Sequence, residues 1–263
     1  MSYNNCTQES LTAFEKDIAS IYESGTIKAP VHLRDGNEGV LVDIFNELQI
    51  SRDDYVYSTW ASHLHALLKG VPPERIKQDI LEGRSITLHY ADHNFFSSAI
   101  VGGISPIAVG TALGLKKQQK TNRVYCFLGD MGFRTGISHE SILYAVSQDL
   151  PITFIIEDNG KSVGTPTEEC WGSVSTESLY NIYKEMMKEV SADILYYRYE
   201  MSYPHSGTAF LWSFKMNYKE EVFKGMALLN EHPKTMFMGQ AIEYKGTALT
   251  HQVKDFPKEK LLE

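Results

Sequence analysis

The chain has 263 residues, 43% hydrophobic and 22% charged, the make-up of an ordinary globular protein and neither a disordered chain nor a membrane bundle. No run approaches the roughly 20 apolar residues needed to span a bilayer. A net charge of −8, with Lys and Arg scattered instead of forming a stripe, argues against nucleic acid as a partner.

The N-terminal stretch has neither the apolar core of a signal peptide nor an Arg-rich transit character, so a cytoplasmic location is expected. Cys6, Cys126 and Cys170 are an odd number at wide spacing, which suits reduced thiols. Residues 8–24 carry Leu11, Phe14, Ile18, Ile21 and Tyr22 at helical spacing, and Gly25 ends that helix. RDGNEGVLVDIFNELQI reads as a turn and a second helix. A short extended segment and two more helices follow, divided by Pro72 and Pro73 because proline is tolerated only at a helix start. Trp60, His63 and His65 lie where DDYVYST meets the helix. Each histidine is readable as a hydrogen-bonded core side chain or as a ligand contact.

HNFFSSAIVGGISPIAVGTALGLKK reads as a loop passing through Gly102 and Gly103 into a helix bearing Ile107, Ala108, Thr111, Ala112 and Leu115. Arg123 to Leu128 is a short apolar run bounded by polar residues and Gly129, as a buried parallel strand requires. After the loop GDMGFRTG, Ser138 to Gln148 is a helix and Pro151 to Glu157 a second buried strand. Strand, glycine loop, helix and strand make a βαβ unit, so the fold class is α/β with a parallel sheet flanked by helices. Such sheets bind ligands at the carboxyl ends of their strands. Asp130 and Asn159 stand there, a hard oxygen pair suited to Mg²⁺ completed by phosphate oxygens. Glycine-flanked N–H groups at the following helix start suit the anion.

Together with SIYESGTIKAPVHLRDGNEGV, DDYVYSTWASHLHALLKGVPPERI, HNFF, IVGG and VGTPTEE, in that order, GDM and DN resemble a GDG…NN signature. The family so resembled is the alpha subunit of the thiamine diphosphate-dependent decarboxylating component of 2-oxo acid dehydrogenase complexes. The likeness spans roughly residues 10 to 172. It implies a thiamine diphosphate-binding, transketolase-like fold with thiamine diphosphate and Mg²⁺ as cofactors. Asp130 and Asn159 would ligate the metal through side chains and Lys161 through its carbonyl. Gly129, Met131 and Gly132 would lie beside the diphosphate, Ala99 and Val101 beside the aminopyrimidine, and Trp60 where the family has a diphosphate-contacting tyrosine. His63 falls on a histidine common in the family, and His205, in ILYYRYEMSYPHSG, on an active-site loop histidine, making both catalytic candidates.

Three departures stand out: Ala61 replaces a phosphate-binding arginine, Met131 a glycine, and Asp158 the first of two asparagines. Arg134 is the expected stand-in for the lost arginine, and Asp158 is expected to bring extra negative charge near the metal. Residues 1–213 are thus expected to form the alpha-like domain. Residues 214–263 resemble the opening of a beta subunit, stopping before the glutamate that activates the cofactor. The implied function is decarboxylation of a small 2-oxo acid with transfer of the acyl or hydroxyalkyl group. It would need a beta-like subunit or a continuation of this chain, in a dimer or heterotetramer, with a lipoyl-bearing acyltransferase as a further partner. A carboligase or transketolase-like enzyme and a non-catalytic cofactor-binding subunit are the alternatives.

Overall fold

Thr7 opens the first helix, α1 (Gln8–Glu23), by exchanging hydrogen bonds with Ser10, which satisfies two of the donors a helix start leaves unmet. In the computed structural model, which describes residues 6–27, 29–34, 36–162 and 165–200, the α1 stripe of Leu11, Ile18 and Tyr22 is buried as its spacing predicts. His205 and the expected beta-like stretch 214–263 lie outside the described residues. After α1 come α2 (Glu38–Glu47), β1 (Tyr55–Thr59), α3 (His63–Leu68) and α4 (Pro73–Leu81). The break between the last two falls at the paired prolines.

The stretch from His93 read as a loop is corrected by the structure. It contains β3 (Phe95–Ser98), which pairs in parallel with β1 and is preceded by β2 (His89–Tyr90) and a turn of 3-10 helix at Ala91–His93. Four residues with two serines are too short to show a period, and only the neighbouring strand makes them extended. Then follow α5 (Ile104–Lys117), β4 (Val124–Gly129), a single turn α6 (Asp130–Phe133), α7 (Gly136–Ser147) and β5 (Ile152–Asp158). A small hairpin of β6 (Lys161–Ser162) and β7 (Thr165–Pro166) leads to α8 (Thr167–Trp171), α9 (Thr176–Met186) and β8 (Asp193–Arg198). Thr135 and Ser175 cap α7 and α9 by accepting from Ser138 N and Ser178 N.

The main sheet runs β2-β3-β1-β4-β5-β8, with every pair parallel except β2 with β3. The chain winds outward from β1 to β3, then returns to build β4, β5 and β8 on the other side. This reversal between β1 and β4 opens a crevice at the carboxyl ends of the strands. Strand alternation divides the core. Val56, Tyr125, Phe127 and Ile155 pack with α1 to α4, whereas Tyr57, Cys126, Phe154 and Ile156 pack with α5, α7 and α9. Each fully buried Phe or Ile of this set contributes ~1.5–3 kcal/mol. Among the described residues no helix is long and apolar enough to cross a membrane.

Lys69, which closes α3, is buried and donates to Ser51 O at 2.5 Å and Arg52 O at 2.8 Å. Burial pulls its ammonium down to about 8, against the opposing pull of Asp54 and Asp53. Between that value and the ordinary 10.5 the unfolded chain binds more protons than the folded one, so stability rises with pH across the window. Thermal melts from pH 7 to pH 10.5 are expected to show the wild type gaining on Lys69→Met above pH 8. A constant difference between the two would contradict this.

Candidate functional site

A cleft of about 330 Å³ lies at the strand ends where the winding reverses. Its floor comes from three strands: Thr59, Trp60 and Ala61 after β1, Gly129 to Gly132 after β4, and Glu157 with Asn159 from β5. Val101 and Lys161 complete the predicted residues that reach it. The neighbouring glycine, Gly102, has φ +74, and a Cβ there would come within 2.3 Å of Thr135 Oγ1, so only glycine lets this loop rest against the start of α7.

Asp130 is buried at the mouth of β4 and accepts a hydrogen bond from the Thr167 hydroxyl. Burial pushes its carboxyl up to about 6, the Thr167 bond opposing and the Asp158 charge adding. A carboxylate so placed is short of a positive partner, which is what a bound cation supplies. Asn159 Oδ1 accepts from Lys161 N at 3.1 Å, and its amide nitrogen donates to Tyr199 OH at 3.4 Å. An amide oxygen carries two lone pairs and is the kind of hard donor that Mg²⁺ takes. Trp60 also lines the cleft; its Nε1 is a buried donor with no hydrogen-bond partner among the described residues, and its ring packs edge-on to His32 at 4.9 Å. An N–H of this kind calls for an acceptor such as a phosphate oxygen. Oxygen ligands and an unmet donor among the lining residues of one cleft fit a metal-bridged diphosphate.

Three predicted placements are corrected. Ala99 is not among the residues lining the cleft. His63 is buried away from it, with Nδ1 2.8 Å from Glu15 Oε1 and Nε2 2.8 Å from Ser85 Oγ, so both ring nitrogens are already engaged and it is no acid or base for a ligand there. Arg134 turns toward α9 and donates to Thr176 Oγ1 and Val174 O, satisfying groups at that helix start instead of an anion. Asp158 does not line the cleft, yet its charge reaches Asp130, as expected. Strand alternation sends it to the opposite face of β5 from Glu157, where it accepts from Tyr196 OH and Gly160 N, both at 2.8 Å, and lies 3.7 Å from Arg198. Met131 does line the cleft, and its sulfur accepts from Trp171 Nε1 at 3.0 Å.

Arg34 and Glu157, which no motif singled out, also line the cleft. Arg34 Nη2 donates to Glu157 Oε2 at 2.6 Å, and Arg34 Nε to Ala61 O at 2.6 Å. Burial alone would raise the Glu157 carboxyl, but Arg34 and His65 outweigh it and bring it down to about 2. The same carboxylate raises Arg34 above its ordinary value against the effect of burial. Burial lowers His65, so the neutral ring that donates Nε2–H to Glu157 Oε1 at 3.2 Å takes the Ser58 hydroxyl proton at Nδ1, 2.7 Å away. Glu15 Oε2 accepts the Arg34 backbone N–H at 2.6 Å. Two buried serine–histidine–glutamate chains therefore converge on one arginine, from Ser85 through His63 and Glu15, and from Ser58 through His65 and Glu157. Sequence spacing carried no signal for this, since Arg34 and Glu157 are separated by 123 positions.

Part of the chain is similar to known proteins. The alpha subunit of acetoin:2,6-dichlorophenolindophenol oxidoreductase from Bacillus subtilis is 30% identical over 168 residues, covering 60% of this chain and 50% of that one. The pyruvate dehydrogenase E1 component subunit alpha of Porphyra purpurea is 32% identical over 168 residues, covering 57% and 48%. The chain thus spans about half the length of the curated relatives it matches. A solved Mycobacterium smegmatis structure, assigned as a thiamin diphosphate-dependent enzyme, aligns with a TM-score of 0.39 and 20% identity over 64% of this chain and 32% of that one. The pattern of the family described as "Dehydrogenase E1 component" matches residues 7–182, and the chain belongs to that family.

Proposed function

We propose that this chain is the alpha-like part of a thiamine diphosphate- and Mg²⁺-dependent enzyme with a transketolase-like fold, acting on a small 2-oxo acid. The observation that carries the reading is one cleft lined both by Asp130, a buried carboxylate in need of a cation, and by Trp60, whose N–H is unmet among the described residues. Asp130 and Asn159 would hold the metal with the Lys161 carbonyl. Gly129, Met131 and Gly132 would border the diphosphate, with Trp60 donating to it, and Val101 would stand toward the aminopyrimidine. The cofactor supplies, when bound, a thiazolium ring that stabilises negative charge on the carbon released from a carboxylate. Asp130 and Asn159 would fix the metal and Trp60 would help orient the diphosphate, leaving the reacting end for a second surface.

That surface would come from a beta-like region contributing an activating glutamate, as a subunit or as further sequence, in a dimer or heterotetramer. Exposed apolar residues support this: Val101 lines the cleft and is open, its neighbour Ile100 is 71% exposed, and Ile107 and Ile137 are open as well. A lipoyl-bearing acyltransferase would be the acceptor, and the cytoplasm the location. The Bacillus subtilis relative, named for acetoin, favours a second reading in which the substrate is a 2-hydroxy ketone cleaved by the same cofactor.

Titration calorimetry is expected to show thiamine diphosphate binding to the chain in the presence of Mg²⁺ and not after chelation. Absence of binding with Mg²⁺ present would remove both readings. Turnover of pyruvate or a branched 2-oxo acid, compared with acetoin, by the chain joined to a beta-like partner separates them.

A further inference from the structure

We infer that Arg34 is the oxyanion anchor of the cleft, its guanidinium donating hydrogen bonds to the phosphate end of a diphosphate ligand. The inference rests on the cofactor reading above and assigns one wall of that site. Arg34 lines the cleft although only 6% of it is exposed. Of its five N–H donors, three make the contacts to Ala61 O, to Glu157 Oε2 and, at 3.5 Å, to Tyr199 OH, which leaves two among the described residues. Tyr199 ties the guanidinium to Asn159. Its hydroxyl accepts from both Arg34 Nη1 and the Asn159 amide, so the guanidinium sits on the metal-ligand side of the cleft, where bridging phosphate oxygens would lie.

Glu157 does not cancel this role. Its carboxylate is engaged by Tyr197 OH at 2.5 Å and by His65 as well as by Arg34, so it works as the clamp that holds the guanidinium plane. What Arg34 offers is directed donors more than net charge, which a planar guanidinium provides and an ammonium does not. Buried ion pairs add little stability compared with apolar side chains of the same volume. Two carboxylate–histidine–serine chains spent on one side chain are explained by the need to position it, with Glu15 and His63 setting its backbone and Glu157 and His65 its head group. At position 61 the side chain is a methyl group, which leaves the carbonyl open to receive Arg34 Nε.

The test is calorimetry on the full chain with inorganic pyrophosphate and with thiamine diphosphate, each with Mg²⁺. Arg34→Lys keeps a cation for Glu157 and removes the fork. It is expected to weaken both ligands by about tenfold or more. Should Arg34→Lys fail to fold, the double variant Arg34→Met with Glu157→Gln removes both charges together and is expected to show the same weakening. Wild-type affinity in the folded variant overturns the anchor and leaves the cofactor reading standing. A wild-type chain that binds neither ligand overturns the cofactor reading and the anchor with it.

Discussion

Replacing Asp130 with alanine is expected to abolish measurable Mg²⁺-dependent binding of thiamine diphosphate, a loss on the order of 100-fold or more. Among the described residues that line the cleft, Asp130 is the carboxylate left to meet a cation, because Glu157 is held by three donors. Asp130→Asn makes the distinction finer. It keeps an oxygen for Thr167 but removes a buried charge that has no cationic partner, so the metal-free protein should melt higher than wild type while metal affinity falls. Calorimetry and melts of the two variants beside wild type check both halves. Undiminished Mg²⁺-dependent binding in Asp130→Ala would take the metal away from this carboxylate.

Glu157→Leu is expected to cost ~3–5 kcal/mol, because it leaves Arg34 charged and buried without its partner. For a chain of this size that corresponds to a fall in Tm of roughly 10 °C. Pairing it with Arg34→Met should return much of the loss, since a buried ion pair exchanged whole for neutral side chains is often tolerated. Urea unfolding of the two single variants and the double closes a cycle whose coupling energy measures the pair. Strict additivity would show that Arg34 and Glu157 are not energetically linked.

The βαβ unit around Asp130 was legible because it is local: an apolar run, glycines, a helix and a second apolar run each leave their own period in the sequence. Gly129 and Asn159 could be set at strand ends on that ground alone. Strand β3 left no trace of this sort, since FFSS becomes a strand only beside β1. Side-chain direction was harder still. His63 sits on a motif position, yet its neighbours Glu15 and Ser85 hold it in the core. Arg134 follows the metal aspartate closely, but its head group reaches back toward Val174. Asp158 faces away from the cleft, since consecutive strand residues face opposite ways, yet its charge still acts on Asp130 as expected. The Arg34 network joins α1, α3, β1 and β5, and no single segment contains its pattern.

The alternation along β5 also limits how this gene can change. Glu157 and Asp158 are adjacent acids with opposite duties, one clamping Arg34 and the other bound to Tyr196 and Arg198. Losing or gaining one codon within the strand would exchange their faces, turning Ile156 toward the α1 side and unseating both acids in one event. Substitutions at either acid alter one contact set at a time. Insertions and deletions are therefore expected to be confined to the loops flanking Ile152–Asp158, with strand length held constant while its residues drift.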